Sequence, residues 1–191
     1  MLIIGITGTL GAGKGTIVDY LIKEKGFLHF SVRSFISEEI IRRGKPVNRD
    51  SMVEVANDLR KQNSPSFITD CLFEEALKTG KNSVIESIRT PGEVYSLKNK
   101  GRFILLAIDA DPKVRYDRII RRKSETDHID YETFLGNERR EMSSTDPNAQ
   151  NLKKCMELAD FKLWNNGTIE QLNQQVEGIL GGLQDCKTLG R

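Results

Sequence analysis

The chain has 191 residues, of which 38% are hydrophobic and 29% are charged, and these proportions are ordinary for a globular protein large enough to bury a core. Its formal net charge is +2, and the basic residues are scattered along the chain, which argues against a nucleic-acid-binding surface. The three cysteines lie far apart without Cys-x-x-Cys spacing, which argues against a disulfide framework or a zinc site.

The sequence favours a cytoplasmic protein. Its widely spaced cysteines suit a reducing compartment, and no apolar run approaches the length of a membrane span. The N-terminus passes directly into a predicted strand, which leaves no room for a signal peptide. We therefore expect no membrane partner.

Strands and helices are predicted to alternate along the chain. Short apolar runs predict five strands, at residues 2–6, 27–31, 83–86, 103–108 and 161–164. Helical spacing predicts a first helix that ends at 25 and a second at 33–43, followed by a third that begins after a cap at Asn48 or Asp50. Further helices are predicted at 65–77, at 112–122, from 131 onward and at 149–158, and a last helix ends near 180. This order predicts an α/β fold of three layers, with a five-stranded parallel sheet and helices on both faces. Residues 1–180 then form one domain, and residues 181–191 are expected to be a C-terminal tail.

Polar residues follow each predicted strand, where an open parallel sheet binds its ligands. After the second, third, fourth and fifth strands come, in turn, Ser31 and Arg33, Glu86 and Arg89, Asp109, and the run Asn165-Asn166-Gly167. The first strand leads into a glycine-rich stretch, so the predicted site lies at this edge of the sheet.

The glycine-rich stretch Gly8-Thr9-Leu10-Gly11-Ala12-Gly13-Lys14-Gly15-Thr16 lies between a predicted strand and a predicted helix. Glycines let backbone N–H groups surround phosphate oxygens, and the helix presents its positive N-terminal end to the same anion. Lys14 is expected to reach the β- and γ-phosphates. In this context the pattern predicts a Walker A loop, or P-loop, that binds ATP. Its binding residues are predicted to be Gly8, Gly11, Ala12, Gly13, Lys14, Gly15 and Thr16.

The run from Gly11 to Thr16, Gly-x-Gly-Lys-Gly-Thr, resembles adenylate kinase and related nucleoside monophosphate kinases. Gly15 stands where the general motif has a Ser or Thr that binds Mg²⁺. The resemblance implies that Thr16 contacts phosphate and that a distant carboxylate helps to hold the metal. Glu86, at the end of the third predicted strand, suits this role, so Glu86 and Thr16 form the expected Mg²⁺ site.

The segment 84–94 resembles the Asp-Gly-Phe-Pro-Arg-Thr segment of adenylate kinases, with Glu86 at the acidic position and Arg89 followed by Thr90 at the Arg-Thr pair. The resemblance implies that Arg89 binds the phosphate of the acceptor. Residues 30–36 occupy the place of the family's Ser-Thr-Gly-Asp-Leu-Leu-Arg stretch, whose arginine would fall at Ser37. Arg33 or Arg42 is the candidate replacement, and Ser31 with Arg33 is assigned to the acceptor site.

A basic cluster at the end of the predicted helix 112–122 loosely resembles the Arg-x-x-Arg pattern at the mouth of an adenylate kinase lid. It consists of Arg118, Arg121, Arg122 and Lys123. The resemblance implies a short lid at 123–130, with Arg118 at the nucleotide and Arg122, or alternatively Arg121, stabilising the transferred charge. Arg139 or Arg140 resembles a further lid arginine, and Arg139 is assigned to the substrate site.

The segment 159–172 closely resembles a C-terminal segment of dephospho-CoA kinases, in which a loop lies against the adenine of ATP. The resemblance implies that Asn166 and Gly167 contact the adenine. Dephospho-CoA kinases have Gly-Lys-Ser-Thr in the phosphate loop, and this chain does not.

The sequence thus predicts a phosphotransferase that moves the γ-phosphoryl of Mg-ATP to a small acceptor, with residues 33–79 as the acceptor lobe. The preferred acceptor is a nucleoside or deoxynucleoside monophosphate, and the protein is expected to be a monomer or homodimer. One alternative is a dephospho-CoA kinase, whose hydroxyl acceptor needs a general base such as Asp19 or Glu86. A second alternative is a regulatory ATPase without an acceptor, although no Asn-Lys-x-Asp guanine motif is present.

Overall fold

The computed structural model describes residues 1–122 and 129–188. The predicted lid at 123–130 therefore falls almost entirely outside the described residues, and so does His128.

Five parallel strands form one sheet. They are β1 (Ile3–Gly8), β2 (Leu28–Ser31), β3 (Ser83–Glu86), β4 (Phe103–Asp109) and β5 (Phe161–Trp164), in the spatial order β2-β3-β1-β4-β5. β1 is central and fully buried, as its continuous apolar run predicts. The predicted five-stranded parallel sheet is confirmed.

The described residues form nine helices. They are α1 (Lys14–Lys25), α2 (Val32–Arg42), α3 (Arg49–Gln62), α4 (Phe67–Thr79), α5 (Pro91–Asn99), α6 (Pro112–Arg122), α7 (Tyr131–Met142), α8 (Leu152–Glu157) and α9 (Ile169–Thr188).

The sheet has a separate hydrophobic core on each face, because alternate strand residues point to opposite sides. Ile3 and Ile85 pack with α2, α3, α4 and α5 on one face. Ile4, Leu106 and Leu163 pack with α1 and α9 on the other. Burying each such side chain contributes about 1.5–3 kcal/mol of hydrophobic free energy, so the central strands hold the three layers together. This confirms the predicted three-layer α/β architecture.

Helices α2, α3 and α4 form the helical insertion between β2 and β3. The residues at which these helices begin and end follow from local sequence signals. The Ser31 side chain caps α2 by accepting from the Ser34 N–H, and Asn48 caps α3 in a capping box with Ser51. Gly80 ends α4 in the left-handed conformation that glycine adopts at no steric cost. The insertion therefore leaves the sheet at the carboxyl end of β2 and returns to it at the amino end of β3.

The largest differences from the predicted helix bounds lie in α9 and α8, and α4 begins and ends two residues later than predicted. α9 continues to Thr188, so residues 181–188 are helix rather than loose tail. A glycine inside a helix costs only about 1 kcal/mol relative to alanine, and Gly181-Gly182 is not followed by a proline that would stop the helix. α8 is shorter than the predicted 149–158, because the Asn151 side chain caps it by accepting from the Lys154 N–H.

A membrane-spanning helix would need a long, apolar run of residues. No helix in the described part of the chain has the length and apolar character required.

Candidate functional site

The loop between β1 and α1 depends on glycine at three points, Gly8, Gly11 and Gly13, where a side chain would collide with neighbouring residues. Gly13 has a φ of 103°, and a Cβ there would overlap the Asn165 side-chain amide. Gly8, with a φ of 145°, lies against the Ile108 carbonyl of β4. By contrast, a Cβ on Gly15 would meet no atom within 4 Å. The loop thus follows the sheet closely and opens toward the first turn of α1.

Lys14, the first residue of α1, turns back over this loop. Its ammonium group donates hydrogen bonds of 2.8 Å to the carbonyls of Gly8 and Thr9. Burial, reinforced by the nearby positive charge of Arg89, lowers the pKa of Lys14 to about 7. A phosphate placed here would supply the negative charge that restores the ammonium form.

Arg115 anchors the phosphate loop from outside, and sequence reasoning missed it. Its side chain is only 3% exposed and donates to the carbonyls of Ala110, at 2.7 Å, and Leu10, at 3.3 Å. It also forms ion pairs with Asp109, at 3.4 Å, and with Glu138 of α7, at 2.7 Å. Arg115 therefore ties the loop, the end of β4 and α7 together.

Asn165 closes the loop from the opposite side. Its amide nitrogen donates to the Ala12 carbonyl at 2.8 Å, and its amide oxygen accepts from Arg118 Nη2 at 3.3 Å. Arg118 Nη1 is buried without a hydrogen-bond partner among the described residues. Arg118 is thus held in place with one donor group uncommitted.

Glu86 lies at the end of β3, where it accepts a hydrogen bond of 3.1 Å from the Ser31 hydroxyl. The His29 imidazole, 3.5 Å away, is the main cause that lowers the pKa of the Glu86 carboxyl below its usual range, and Ser31 and Lys14 act in the same direction. Ser31 therefore acts through Glu86. A carboxylate kept ionised here is suited to a cation.

The residues present fit Mg²⁺ bound with a nucleotide. Mg²⁺ is commonly held by one or two carboxylates together with substrate phosphates and water, and Glu86 and Thr16 line the same cavity. Within residues 1–122 and 129–188, no group of three or more His, Cys, Asp or Glu residues forms an all-protein metal site. Glu86 and Thr16 would hold the ion only with the help of phosphate oxygens.

Two adjoining cavities open at this edge of the sheet. The first, the loop cavity, has a volume of about 600 Å³. Its wall includes Gly11, Gly13, Lys14, Gly15, Thr16, Glu86, Arg118, Arg122, Asn165 and Gly167. Most of the predicted ATP-site residues are thus brought together around one space.

The second, the helical cavity, has a volume of about 150 Å³ and lies under the helical insertion. Its wall includes Val32, Ile36, Asn48, Arg49, Met52, Val53, Ala56, Arg60, Glu141 and Gln150. Leu10, Arg33, Ser87, Arg89 and Arg122 line both cavities. Three arginines therefore stand at the boundary between the two spaces.

Glu141 of α7, which sequence reasoning also missed, holds the arginines of the helical cavity. It pairs with Arg49 and, at 2.7 Å, with Arg89 Nη1, and Arg89 also donates to Gln150 at 2.8 Å. Desolvation acts to raise the pKa of Glu141, but Arg89 and Arg49 outweigh it and keep the pKa below its usual value. A buried carboxylate thus orients Arg89 while remaining charged.

Several assigned residues do not line either cavity. Gly8 and Ala12 take part through their carbonyls, which accept from Lys14 and Asn165. Asn166 is exposed, and its side-chain oxygen accepts from the Asp111 N–H at 2.8 Å. Arg139 is exposed on α7 and outside both cavities, as is its alternative, Arg140.

On α7, the residues that point to solvent and the residue that faces the site are adjacent in sequence. Arg139 and Arg140 point to solvent, whereas the next residue, Glu141, is buried and faces the site. The helical turn determines this orientation, because Phe134 and Glu141, seven residues apart, share the buried face of α7.

Comparison with known proteins identifies the family to which the chain belongs. A domain family described as AAA domain matches residues 4–144, a span that contains the phosphate loop, Glu86, Arg89 and Glu141. The chain belongs to this AAA-domain family. Among its relatives, a UPF0200 protein of Methanococcus vannielii is 29% identical over 183 residues, covering 94% of this chain and 95% of the relative.

Solved kinase structures share the fold. The structure titled as a gluconokinase from Sinorhizobium meliloti matches with a TM-score of 0.60 at 10% identity, covering 100% of this chain and 98% of that one. Shikimate kinase from Aquifex aeolicus matches with a TM-score of 0.53 at 15% identity, covering 100% of both chains. The P-loop kinase fold expected from the sequence is confirmed.

Proposed function

We propose that the protein is a P-loop kinase that transfers the γ-phosphoryl group of Mg-ATP to a nucleoside or deoxynucleoside monophosphate. The observation that carries the proposal is the boundary between the cavities, where Arg33, Arg89 and Arg122 face both spaces. An acceptor that already bears phosphate needs such positive charge on the side of the phosphate loop. Arginine suits this position because it binds phosphate oxygens bidentately and keeps its charge.

In the proposed reaction, an oxygen of the acceptor phosphate attacks the γ-phosphorus. The bond from the γ-phosphorus to the β–γ bridging oxygen breaks, and its electron pair leaves with ADP. Phosphoryl transfer depends on positioning and on stabilising negative charge. Bound Mg²⁺ supplies charge neutralisation on the phosphates, with Glu86 and Thr16 as its protein partners.

The remaining roles in the proposed reaction are assigned to individual side chains. Lys14 and Arg122 stabilise the transferred group, and Arg118 with its uncommitted Nη1 binds the nucleotide. Arg89 and Arg33 hold the acceptor phosphate. Gly167 lines the loop cavity, which supports its assignment to the adenine. Asn166 lines neither cavity, and its side-chain oxygen accepts from the Asp111 N–H, so its assignment rests on the sequence resemblance alone.

A phosphate acceptor is favoured over the ribose hydroxyl of dephospho-CoA because, in the described part of the chain, neither carboxylate that the sequence offers as a general base suits that role. Of the two sequence candidates, Asp19 is exposed on α1 and outside both cavities. Glu86 lines the loop cavity, but its lowered pKa makes it a weak base. A phosphate acceptor needs no base.

The direct test is ADP formation from Mg-ATP with AMP, CMP, UMP, GMP, dTMP, the other deoxy forms and dephospho-CoA, each measured for the wild type and Lys14→Ala. We expect turnover with a monophosphate that Lys14→Ala reduces by at least about 1,000-fold, since the variant loses charge stabilisation in the transition state. Turnover with dephospho-CoA alone would favour the alternative acceptor. Slow hydrolysis that no acceptor accelerates would leave the regulatory ATPase.

A further inference from the structure

Arg60 is a buried arginine of α3 with one free hydrogen-bonding group. Its side chain is 1% exposed and pairs with Glu93, which is 0% exposed. Nε and Nη2 donate to Glu93 Oε1 at 3.2 and 2.9 Å. Nη1 has no hydrogen-bond partner in the described part of the chain. A buried donor left without a partner destabilises the folded protein, so this group calls for an explanation.

Glu93 fixes Arg60 rigidly, because the same carboxylate also caps α5. Its Oε2 accepts from the backbone N–H groups of Arg89, at 2.8 Å, and Thr90, at 3.0 Å. Arg60 is therefore anchored to the segment that carries Arg89. Its position does not depend on a flexible loop.

Arg60 lines the helical cavity among apolar side chains. Val32, Ile36, Met52 and Ala56 form much of the surrounding wall. Flat ring systems are commonly held between such surfaces. The three boundary arginines lie toward the loop cavity, so the helical cavity combines a charged side for phosphate with an apolar part that contains one buried donor.

The chemistry of that donor limits what it recognises. The guanidinium group has N–H donors and no acceptor, and its charge is already balanced by Glu93. It suits a neutral acceptor atom that projects from the edge of a base, such as an exocyclic carbonyl oxygen. Adenine carries an amino donor as its exocyclic group, and its own acceptors are nitrogens within the ring. We propose that Arg60 is a specificity-determining residue whose Nη1 donates to a carbonyl oxygen on the acceptor's base, so that the helical cavity selects an oxo-bearing nucleobase over adenine.

This inference rests on the proposed monophosphate acceptor and makes it more specific. Adenine is the one base among AMP, GMP, CMP, UMP and dTMP that has no carbonyl oxygen. A site built around a hydrogen bond rejects ligands that lack it, because its buried polar group is then left unpaired. The pair IMP and AMP isolates this feature on a purine, since the two bases differ by an oxo and an amino group at one ring position.

The test is calorimetric binding of AMP, IMP, GMP, CMP, UMP and dTMP to the protein saturated with a non-hydrolysable ATP analogue. We expect the tightest ligand to bear a carbonyl and to bind at least about tenfold more tightly than AMP, the ratio that one net hydrogen bond supports. We also expect Arg60→Lys, which keeps a cation beside Glu93 but loses the branched donor, to reduce that preference about tenfold while AMP affinity changes less than about twofold.

A second variant protects the test against misfolding. Arg60→Met combined with Glu93→Gln removes both buried charges, and the glutamine oxygen still accepts a backbone hydrogen bond at the start of α5. The role of Arg60 would be overturned if the wild-type protein bound AMP as tightly as, or more tightly than, the carbonyl-bearing monophosphates. It would also be overturned if both variants folded and kept the wild-type preference for a carbonyl-bearing monophosphate over AMP. If monophosphates are phosphorylated but AMP binds as well as the others, this inference alone is rejected. If the protein binds carbonyl-bearing monophosphates more tightly than AMP but forms no ADP, the kinase reaction alone is rejected. Failure of every monophosphate to bind would overturn both.

Discussion

The loop cavity and the helical cavity adjoin each other but are built in different ways. The loop cavity depends on backbone groups of one contiguous stretch, residues 8–16, placed by β1 and α1. The helical cavity is assembled from side chains of α2, α3, α7 and the segment after β3. Two buried carboxylates hold three of its arginines: Glu141 pairs with Arg49 and Arg89, and Glu93 pairs with Arg60.

Because of this difference, we expect the loop cavity to bind phosphate in general and the helical cavity to recognise a particular acceptor. Backbone N–H groups and a helix N-terminus recognise phosphate regardless of what is attached to it. Side chains held by buried ion pairs present donors in fixed positions, so they discriminate between ligands. We therefore expect changes in the loop cavity to affect all reactions equally and changes in the helical cavity to alter acceptor use and stability.

The largest expected effect is on stability, from Arg60→Met. This variant leaves Glu93 buried and unpaired, and removing one partner of a buried ion pair costs about 3–5 kcal/mol. Urea denaturation would measure the free energy of unfolding, with the double variant Arg60→Met/Glu93→Gln as the matched control. The double variant should recover much of the loss. A single variant as stable as wild type would show that the pair does not organise the helical cavity.

The next effect is on acceptor use, from Arg89→Ala. Losing a charge-assisted contact in a desolvated site costs about 2–5 kcal/mol, so kcat/KM for the monophosphate should fall at least about 30-fold. Steady-state kinetics at saturating ATP would measure this. The control is Arg102→Asn at the opposite edge of the sheet, where asparagine tolerates the left-handed φ of 55°. An equal loss of kcat/KM in the two variants would show that Arg89 does not bind the acceptor.

A smaller effect concerns the protonation of Lys14. Because its pKa in the free protein is about 7, Lys14 is largely neutral at pH 8, and bound phosphates raise its pKa again. ATP binding at pH 8 should therefore take up as much as about one proton, and affinity should fall as pH rises above 7. For the same reason this group makes the free energy of unfolding rise with pH between its folded pKa and its ordinary value.

Proton uptake is measured from the dependence of the calorimetric binding enthalpy on the ionisation enthalpy of the buffer. Lys14→Arg is the control, because arginine keeps its charge at this pH and should show no such uptake. A wild-type enthalpy that is independent of buffer would mean that Lys14 is already charged before the nucleotide binds.

The smallest effect is expected from Gly15→Ala. Gly15 lies in the first turn of α1, has no positive φ, and a Cβ there would meet no atom within 4 Å. Alanine should therefore raise the free energy of unfolding by about 0.4–1 kcal/mol by restricting the unfolded chain. Gly13→Ala is the contrasting variant and should destabilise the protein, because its φ is 103°. Thermal denaturation of both would check this, and a loss of stability in Gly15→Ala would contradict the open geometry.

Sequence reasoning predicted the features that depend on local signals. The phosphate loop follows from its glycine spacing between a strand and a helix. Glu86 and Arg89 follow from the rule that ligands lie beyond the carboxyl ends of parallel strands. Both β3 and β5 have the predicted bounds, because polar residues limit those short runs on either side: Asn82 and Ser87 flank β3, and Asp160 and Asn165 flank β5.

The residues it missed make contacts far along the chain. Arg115 is 105 residues from its partner Leu10. Asn165 was placed at the ligand edge by the sequence, but its contact with Ala12, 153 residues away, was not foreseen. Glu141 is 92 residues from Arg49. No local pattern determines such pairings, since they depend on how the helices pack against the sheet. A signal was present for Arg115, which shares a buried helical face with Ile119, four residues later.

The central claim is that the acceptor is itself a phosphate, and the ³¹P NMR spectrum of the reaction products tests it most directly. The protein would be incubated with Mg-ATP and the monophosphate that gives the highest rate of ADP formation. The account predicts that the monophosphate resonance is replaced by the two coupled resonances of a nucleoside diphosphate. A new phosphate monoester in place of the diphosphate, or inorganic phosphate alone, would contradict it.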